Sequence, residues 1–264
     1  MGQTNLKRIT VLTVILVVAG IISSALLAAV LIIRDPYYKS SQLIKAIEKK
    51  DYDKLEKMLS DGTDPNIPEF RETFITRMCE TVPVTPLGFA AVNDDLEAVN
   101  ILLMHDADPN FIKNSKSWPL GDAIFTNGSN SLEIVKKLLE YGSEPYESNG
   151  YKNAFYTVAG KYCVESDTRQ QLRLVEIMEY LLNNSGETPH TVFYKSNEVL
   201  SLATYVVFTG RNPILIRFLL ENGDSVDSDS TYYGISLYDW CHYDENKTIL
   251  AILEEYGYFQ QKTG

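Results

Sequence analysis

Histidine and cysteine are scarce in this chain. Three of each occur in 264 residues: His105, His190 and His242, and Cys79, Cys163 and Cys241, all widely scattered. An odd cysteine set with no close-spaced pair gives no disulfide framework and says little about redox compartment. The one Cys/His adjacency, Cys241-His242, would point its side chains in different directions on a helix, a poor geometry for zinc. Asp227-Ser-Asp229-Ser-Thr231 begins like a calcium loop, but Tyr232 stands where that loop needs glycine and no glutamate closes it. Phosphate-cradling glycine loops, a nucleophile elbow and a paired-carboxylate site are all missing. The expectation is therefore a non-enzyme with no catalytic residue, no metal site and no cofactor.

Positive charge is also in short supply. The chain holds 24 Lys and Arg against 35 Asp and Glu, a net charge of −11. Such a surface repels nucleic acid and anionic lipid head groups, and it suits a basic partner.

Charge of either sign, and proline, are absent from Ile9 to Ile33. As a helix this run spans about 37 Å, enough to cross a hydrocarbon core of about 30 Å with some tilt. A cleaved signal peptide would be shorter and followed by polar residues, whereas Ala28-Ala29 is followed by Val30-Leu31-Ile32-Ile33. The run therefore reads as a single-pass anchor at 9–33, after an N-terminal tail at 1–8. Lys7 and Arg8 before it favour a cytoplasmic N-terminus and a domain outside the cytoplasm, although Arg34, Lys39, Lys45 and Lys49 pull the other way. Gly20, Ser24 and Ala28 recur every four residues and lie along one helix face, which suits self-association into a homodimer.

Beyond the anchor the chain repeats itself. Thr85 to Asn110 reads as a turn, a short small-residue helix, a polar break at Asn93-Asp94-Asp95, a second helix and a closing turn. The end of that second helix recurs as MLSDG (58–62), LLMHD (102–106), LLEYG (138–142), LLNNS (181–185), LLENG (219–223) and LEEYG (253–257). Related turns follow at TDPN (63–66), ADPN (107–110), SEPY (143–146) and DSVD (224–227). One such unit has too little apolar surface to stand alone, so the copies must stack.

With Thr85-Pro86-Leu87 opening its best copy, the unit resembles the ankyrin repeat family, whose signature is T-P-L-H-x-A. The resemblance covers roughly residues 41–259. It implies an all-α solenoid of about six helix-turn-helix units, after a tether at 34–40 and before a C-terminal tail at 260–264. The signature histidine is missing; its places are read here as Gly88, Gly121, Thr157 and Ser201. The stretches 67–84 and 160–173 read as insertions, the second between the two helices of the fourth repeat. Leu172, Ile214 and their neighbours read as apolar faces of second helices, and Tyr256, Tyr258 and Phe259 as the closing cap.

The resemblance also implies a binding surface made of projecting turn fingers and first-helix faces. On it the candidates are Phe111, Lys113 and Trp118 on one finger, Tyr146 and Tyr151 on the next, and Tyr232 and Tyr233 on the last. Exposed aromatics are enriched among residues that dominate interface energetics. The expected partner is another protein of basic character. A membrane-anchored binding scaffold and an immunity-type protein that neutralises a basic toxin or effector at the membrane are both consistent with this reading.

Overall fold

The computed structural model describes residues 36–71, 82–110, 118–145, 153–164, 167–184, 192–193, 199–210, 213–232, 234–243 and 246–259, with Val18, 20–24 and Leu26. Those few positions before residue 36 are helical and exposed. The rest of the 9–33 run lies outside the described residues, and among the described residues no helix is long and apolar enough to cross a membrane.

Among the described residues twelve helices follow in six antiparallel pairs: α1 (Pro36–Glu48) with α2 (Tyr52–Ser60), α3 (Pro86–Val92) with α4 (Leu96–Met104), α5 (Pro119–Thr126) with α6 (Ser131–Glu140), α7 (Ala154–Val164) with α8 (Thr168–Asn184), α9 (Leu202–Gly210) with α10 (Pro213–Glu221), and α11 (Leu237–Cys241) with α12 (Lys247–Glu255). Odd-numbered helices form an inner layer and even-numbered helices an outer one. Three antiparallel ribbons project from the stack: β1 (Glu69–Arg71) with β2 (Val82–Val84), β3 (Val192–Phe193) with β4 (Val199–Leu200), and β5 (Thr231–Tyr232) with β6 (Ile235–Ser236). The all-α ankyrin-repeat architecture holds, with short β-ribbons in the fingers that helix periodicity could not reveal.

Each second helix buries a stripe spaced by three or four residues: Ala98, Val99, Leu102 and Leu103 on α4; Ile134, Val135 and Leu138 on α6; Leu174, Ile177, Met178 and Leu181 on α8; Leu215, Ile216, Leu219 and Leu220 on α10. That spacing puts one apolar face against the neighbouring helices, and each such side chain contributes about 1.5–3 kcal/mol on burial. The inner helices carry alanine where they meet, at Ala90, Ala91, Ala123, Ala159 and Ala203, all fully buried. Leu172 and Ile214 lie off the stripes, 55% and 56% exposed. Ile214 stands one residue from the buried Leu215, and Leu172 two from the buried Leu174.

The recurrent endings have a backbone cause. Gly62, Gly142, Gly223 and Gly257 follow the second helices at φ +81°, +86°, +84° and +88°, the left-handed turn that ends many helices. Asp106 takes that conformation in LLMHD at φ 62°, which a short polar side chain tolerates.

Two boundaries differ from the sequence reading. Helix α1 begins at Pro36, so it absorbs five of the seven residues read as a tether at 34–40. The stretch 160–173 is mostly helical: it holds the end of α7 and the start of α8, giving α7 11 residues and α8 17. Asp167 in this stretch opens α8, its Oδ1 accepting from Arg169 N at 2.8 Å and from Gln170 N at 3.3 Å.

Neighbouring repeats are tied by side chains. Asp94, at φ 56°, accepts from Asn130 N at 3.0 Å and from Ser129 Oγ at 3.2 Å. A Cβ at Gly128 would collide with that carboxylate. Asp95 caps α4 by accepting from Ala98 N and also accepts from Tyr52 Oη of the preceding repeat at 3.0 Å. Burial, then this hydrogen bond, push the Tyr52 hydroxyl up to about 12. Further on, Arg173 donates to Asn127 O at 2.7 Å and Asn127 Nδ2 to Gln170 O at 3.1 Å.

Candidate functional site

The first turn of each inner helix fixes which residues face outward. Thr85 caps α3 by accepting from Gly88 N at 3.0 Å, Asn153 caps α7 by accepting from Tyr156 N, and Ser201 caps α9 by accepting from Thr204 N. An N-cap oxygen satisfies an orphan donor of the first turn and so sets the register of the helix. The missing histidine positions are therefore Tyr156 and Thr204, not Thr157 and Ser201. Thr204 is fully buried, and its Oγ1 accepts from Asp227 N at 2.9 Å, which ties the helix start to the next finger.

With this register, the outward positions are Lys45 on α1, Phe89 on α3, Asp122 and Phe125 on α5, Thr157 and Lys161 on α7, and Thr209 on α9. They line a continuous face. Phe125 is 55% exposed, and Lys161 Nζ lies over its ring at 5.3 Å. Behind this face the partly buried Tyr156 of α7 packs on the buried Tyr205 of α9, with ring centroids 4.7 Å apart. A half-exposed phenyl ring under a lysine keeps a large apolar contact surface and one cationic partner.

Beside this groove runs a row of acidic turns at the bases of the fingers. Asp61, Asp64, Asp106, Asp108, Glu144, Asp227 and Asp229 are all exposed there. The first three of these turns are linked by asparagines: Asn66 Nδ2 donates to Asp106 O at 3.1 Å and Asn66 Oδ1 accepts from Asp108 N at 2.8 Å. Asn110 repeats the pattern, donating to Gly142 O at 2.7 Å and accepting from Glu144 N at 2.8 Å. Each asparagine is itself oriented by the aspartate two residues earlier, which accepts its backbone N–H at 2.8 Å. The DPN turn is thus a link between repeats as well as a helix stop.

Of the seven candidates read from sequence, Trp118 alone has a described side chain, and it is not on the surface. Its indole is 7% exposed and folds back on Gly121, where a Cβ would collide with the ring. Trp118 occupies the N-cap position of α5 without a side-chain cap, and glycine three residues on makes room for its ring. Tyr232 lies on β5, paired with Ile235; its side chain, and Phe111, Lys113, Tyr146, Tyr151 and Tyr233, fall outside the described residues. Phe89, Phe125, Lys161 and Tyr205 were missed by the sequence reading. Their signal is the fourth, seventh or eighth place after the cap, which requires the cap to be known.

Among the described residues no group of His, Cys, Asp or Glu is placed to hold a metal ion. Cys241 is buried and its thiol is pushed up to about 12 by burial, while the adjacent His242 is exposed and stacks on Tyr238 at 4.0 Å. At the C-terminal end, Tyr258 Oη accepts from Val226 N at 2.9 Å and Phe259 meets Tyr238 edge-on.

A model of the ankyrin repeat matches residues 84–115, the copy that the sequence shows best. No curated protein matches the chain. Among solved structures, the ankyrin repeat domain of human ASB11 superposes with a TM-score of 0.57 at 20% identity, covering 81% of this chain and 83% of that one. An ankyrin repeat protein, EF0377, superposes with a TM-score of 0.55 at 20% identity, covering 82% of this chain and 98% of that one. These likenesses establish the ankyrin-repeat fold across most of the chain.

Proposed function

We propose that the chain is a membrane-tethered scaffold that holds a partner protein against its inner-helix groove and finger edge. The observation that carries this reading is the exposed ring of Phe125, with Lys161 over it, on the inner layer of a stack whose finger turns are acidic and linked through Asn66 and Asn110. An apolar anchor flanked by negative charge suits a partner with an apolar patch set in a basic surface. The uncharged run from Ile9 to Ile33 supports the tether, and with α1 starting at Pro36 the stack would stand directly against the bilayer. The Lys7-Arg8 tail favours a repeat domain outside the cytoplasm, and the Gly20, Ser24, Ala28 face favours pairing of two anchors.

The acidic row favours one narrower reading, an immunity-type protein that neutralises a basic toxin or effector at the membrane. Affinity capture with the full-length chain in detergent, followed by identification of what is retained, tests both. A specific partner lost on substitution of Phe125 supports the scaffold. A conspicuously basic partner released by moderate salt supports the narrower reading, and capture of nothing that depends on Phe125 overturns both. Alkaline extraction of membranes tests the tether, and chain released into the soluble fraction overturns it.

A further inference from the structure

The outer layer opens between α10 and α12 into a groove of about 440 Å³, lined among others by Ile214, Phe218 and Ile252, with Val175 of α8 at its edge. This face is opposite the inner-helix groove, and Ile214 stands 56% exposed in it. The groove is polarised along its length. Pro213, Ile214 and Thr248 lie at the helix starts, and Glu221 and Glu255 at the helix ends. Glu221 is the last residue of α10, and Glu254 and Glu255 are the last of α12. Carboxylates at a helix C-terminus sit against the negative end of its dipole, so that end of the groove is doubly negative. The cation lining the groove, Arg217, is bound bidentately by Glu255 at 2.9 Å and 2.9 Å. Glu221 is left with a hydrogen bond from Tyr256 Oη at 3.3 Å. On α8, exposed Glu179 stands one turn beyond Val175 and extends the negative end.

We propose that this outer groove is a second docking site, for an amphipathic helix of another protein that carries Leu-type anchors on one face and Lys or Arg one to two turns along. The aliphatic floor takes the anchors in the helix-in-groove manner, and the carboxylates at the ends of α10 and α12 take the basic residues. An acidic or wholly apolar helix of the same shape fits less well, because it meets unneutralised carboxylates at one end.

The test uses the full-length chain in phosphatidylcholine nanodiscs, with empty discs subtracted. The probe is a fluorescent synthetic helix of about fifteen residues, long enough to hold its form on binding, with leucines at i, i+3, i+4 and i+7 and lysines elsewhere. A second probe keeps the leucines and replaces every lysine by glutamate. The lysine helix is expected to bind saturably, and the glutamate helix on the order of tenfold more weakly or worse. Ile214→Asp, an exposed change verified by circular dichroism to leave the fold intact, should weaken the lysine helix on the order of tenfold. Glu221→Lys with Glu254→Lys should abolish the preference between probes, and Phe125→Asp on the opposite face should leave binding unchanged. Equal affinity for the two helices, no binding, or indifference to Ile214→Asp overturns the proposal. Sedimentation showing a dimer that Ile214→Asp dissociates also overturns it, by assigning the groove to a second copy of the chain.

Discussion

The side-chain carbonyl of Asn66 accepts the backbone N–H of Asp108 in the next repeat at 2.8 Å, and Asn110 makes the same bond to Glu144 at 2.8 Å. One residue type at one place in the turn therefore sets the spacing of adjacent fingers. The third turn, SEPY, carries Tyr146 at that place.

Asn110→Ala removes one donated and one accepted inter-repeat hydrogen bond and should cost about 1–3 kcal/mol. Urea denaturation of the two proteins measures it. Asn110→Asp keeps the acceptor for Glu144 N and loses the donor to Gly142 O, so its cost should be intermediate at most before charge repulsion from Asp108 is counted. An Asn110→Ala protein as stable as the parent would show that the ladder is ornamental.

Gly128→Ala should destabilise by about 1–3 kcal/mol, because its methyl group and the Asp94 carboxylate claim the same space. In Asp94→Ala the space is vacated, so the second substitution should then cost much less. The double-mutant cycle isolates this coupling. Additive effects would mean that the turn at 127–130 relaxes without reference to Asp94.

Leu102→Ala should cost about 2–5 kcal/mol as a fully buried truncation. Leu172→Ala, at a residue 55% exposed, should stay within about 0.5 kcal/mol. Chemical denaturation compares them directly, and a reversal of the order would place the apolar stripe of α8 on the wrong face.

The contrast between those two leucines marks how far the sequence could be read. Helix ends were visible because the left-handed turn selects Gly62, Gly142, Gly223 and Gly257, and the six pairs followed from them. Faces were harder. Successive residues on a helix differ by about 100°, so one step of register moves a side chain from core to solvent. The histidine place was misassigned to Thr157 and Ser201 for this reason, since Ser201 is the cap and Thr204 stands where the histidine would be. Trp118 was beyond reach of any local rule, because its burial depends on the missing side chain of Gly121. The groove residues Phe125 and Lys161 come together only once two repeats are stacked.

Tyr52 gives a pH test of the contact between the first two repeats. Its folded-state value is raised from 10.0 to about 12, so the stability it contributes is fully present below pH 10.0 and is lost as pH rises through about 12. Tyr52→Phe should flatten the alkaline loss of stability over that window. Thermal unfolding followed across it in both proteins provides the comparison, and identical alkaline profiles would remove Tyr52 and Asp95 from the account.

The central claim is that the inner-helix groove binds protein through Phe125. It is tested most directly by affinity capture with three full-length chains side by side: the parent, Phe125→Asp and Leu172→Asp, the last at a side chain 55% exposed on α8 in the outer layer. The account predicts a partner retained by the parent and by Leu172→Asp and lost from Phe125→Asp, with all three equally folded by circular dichroism. Retention of the same partner by all three would contradict it.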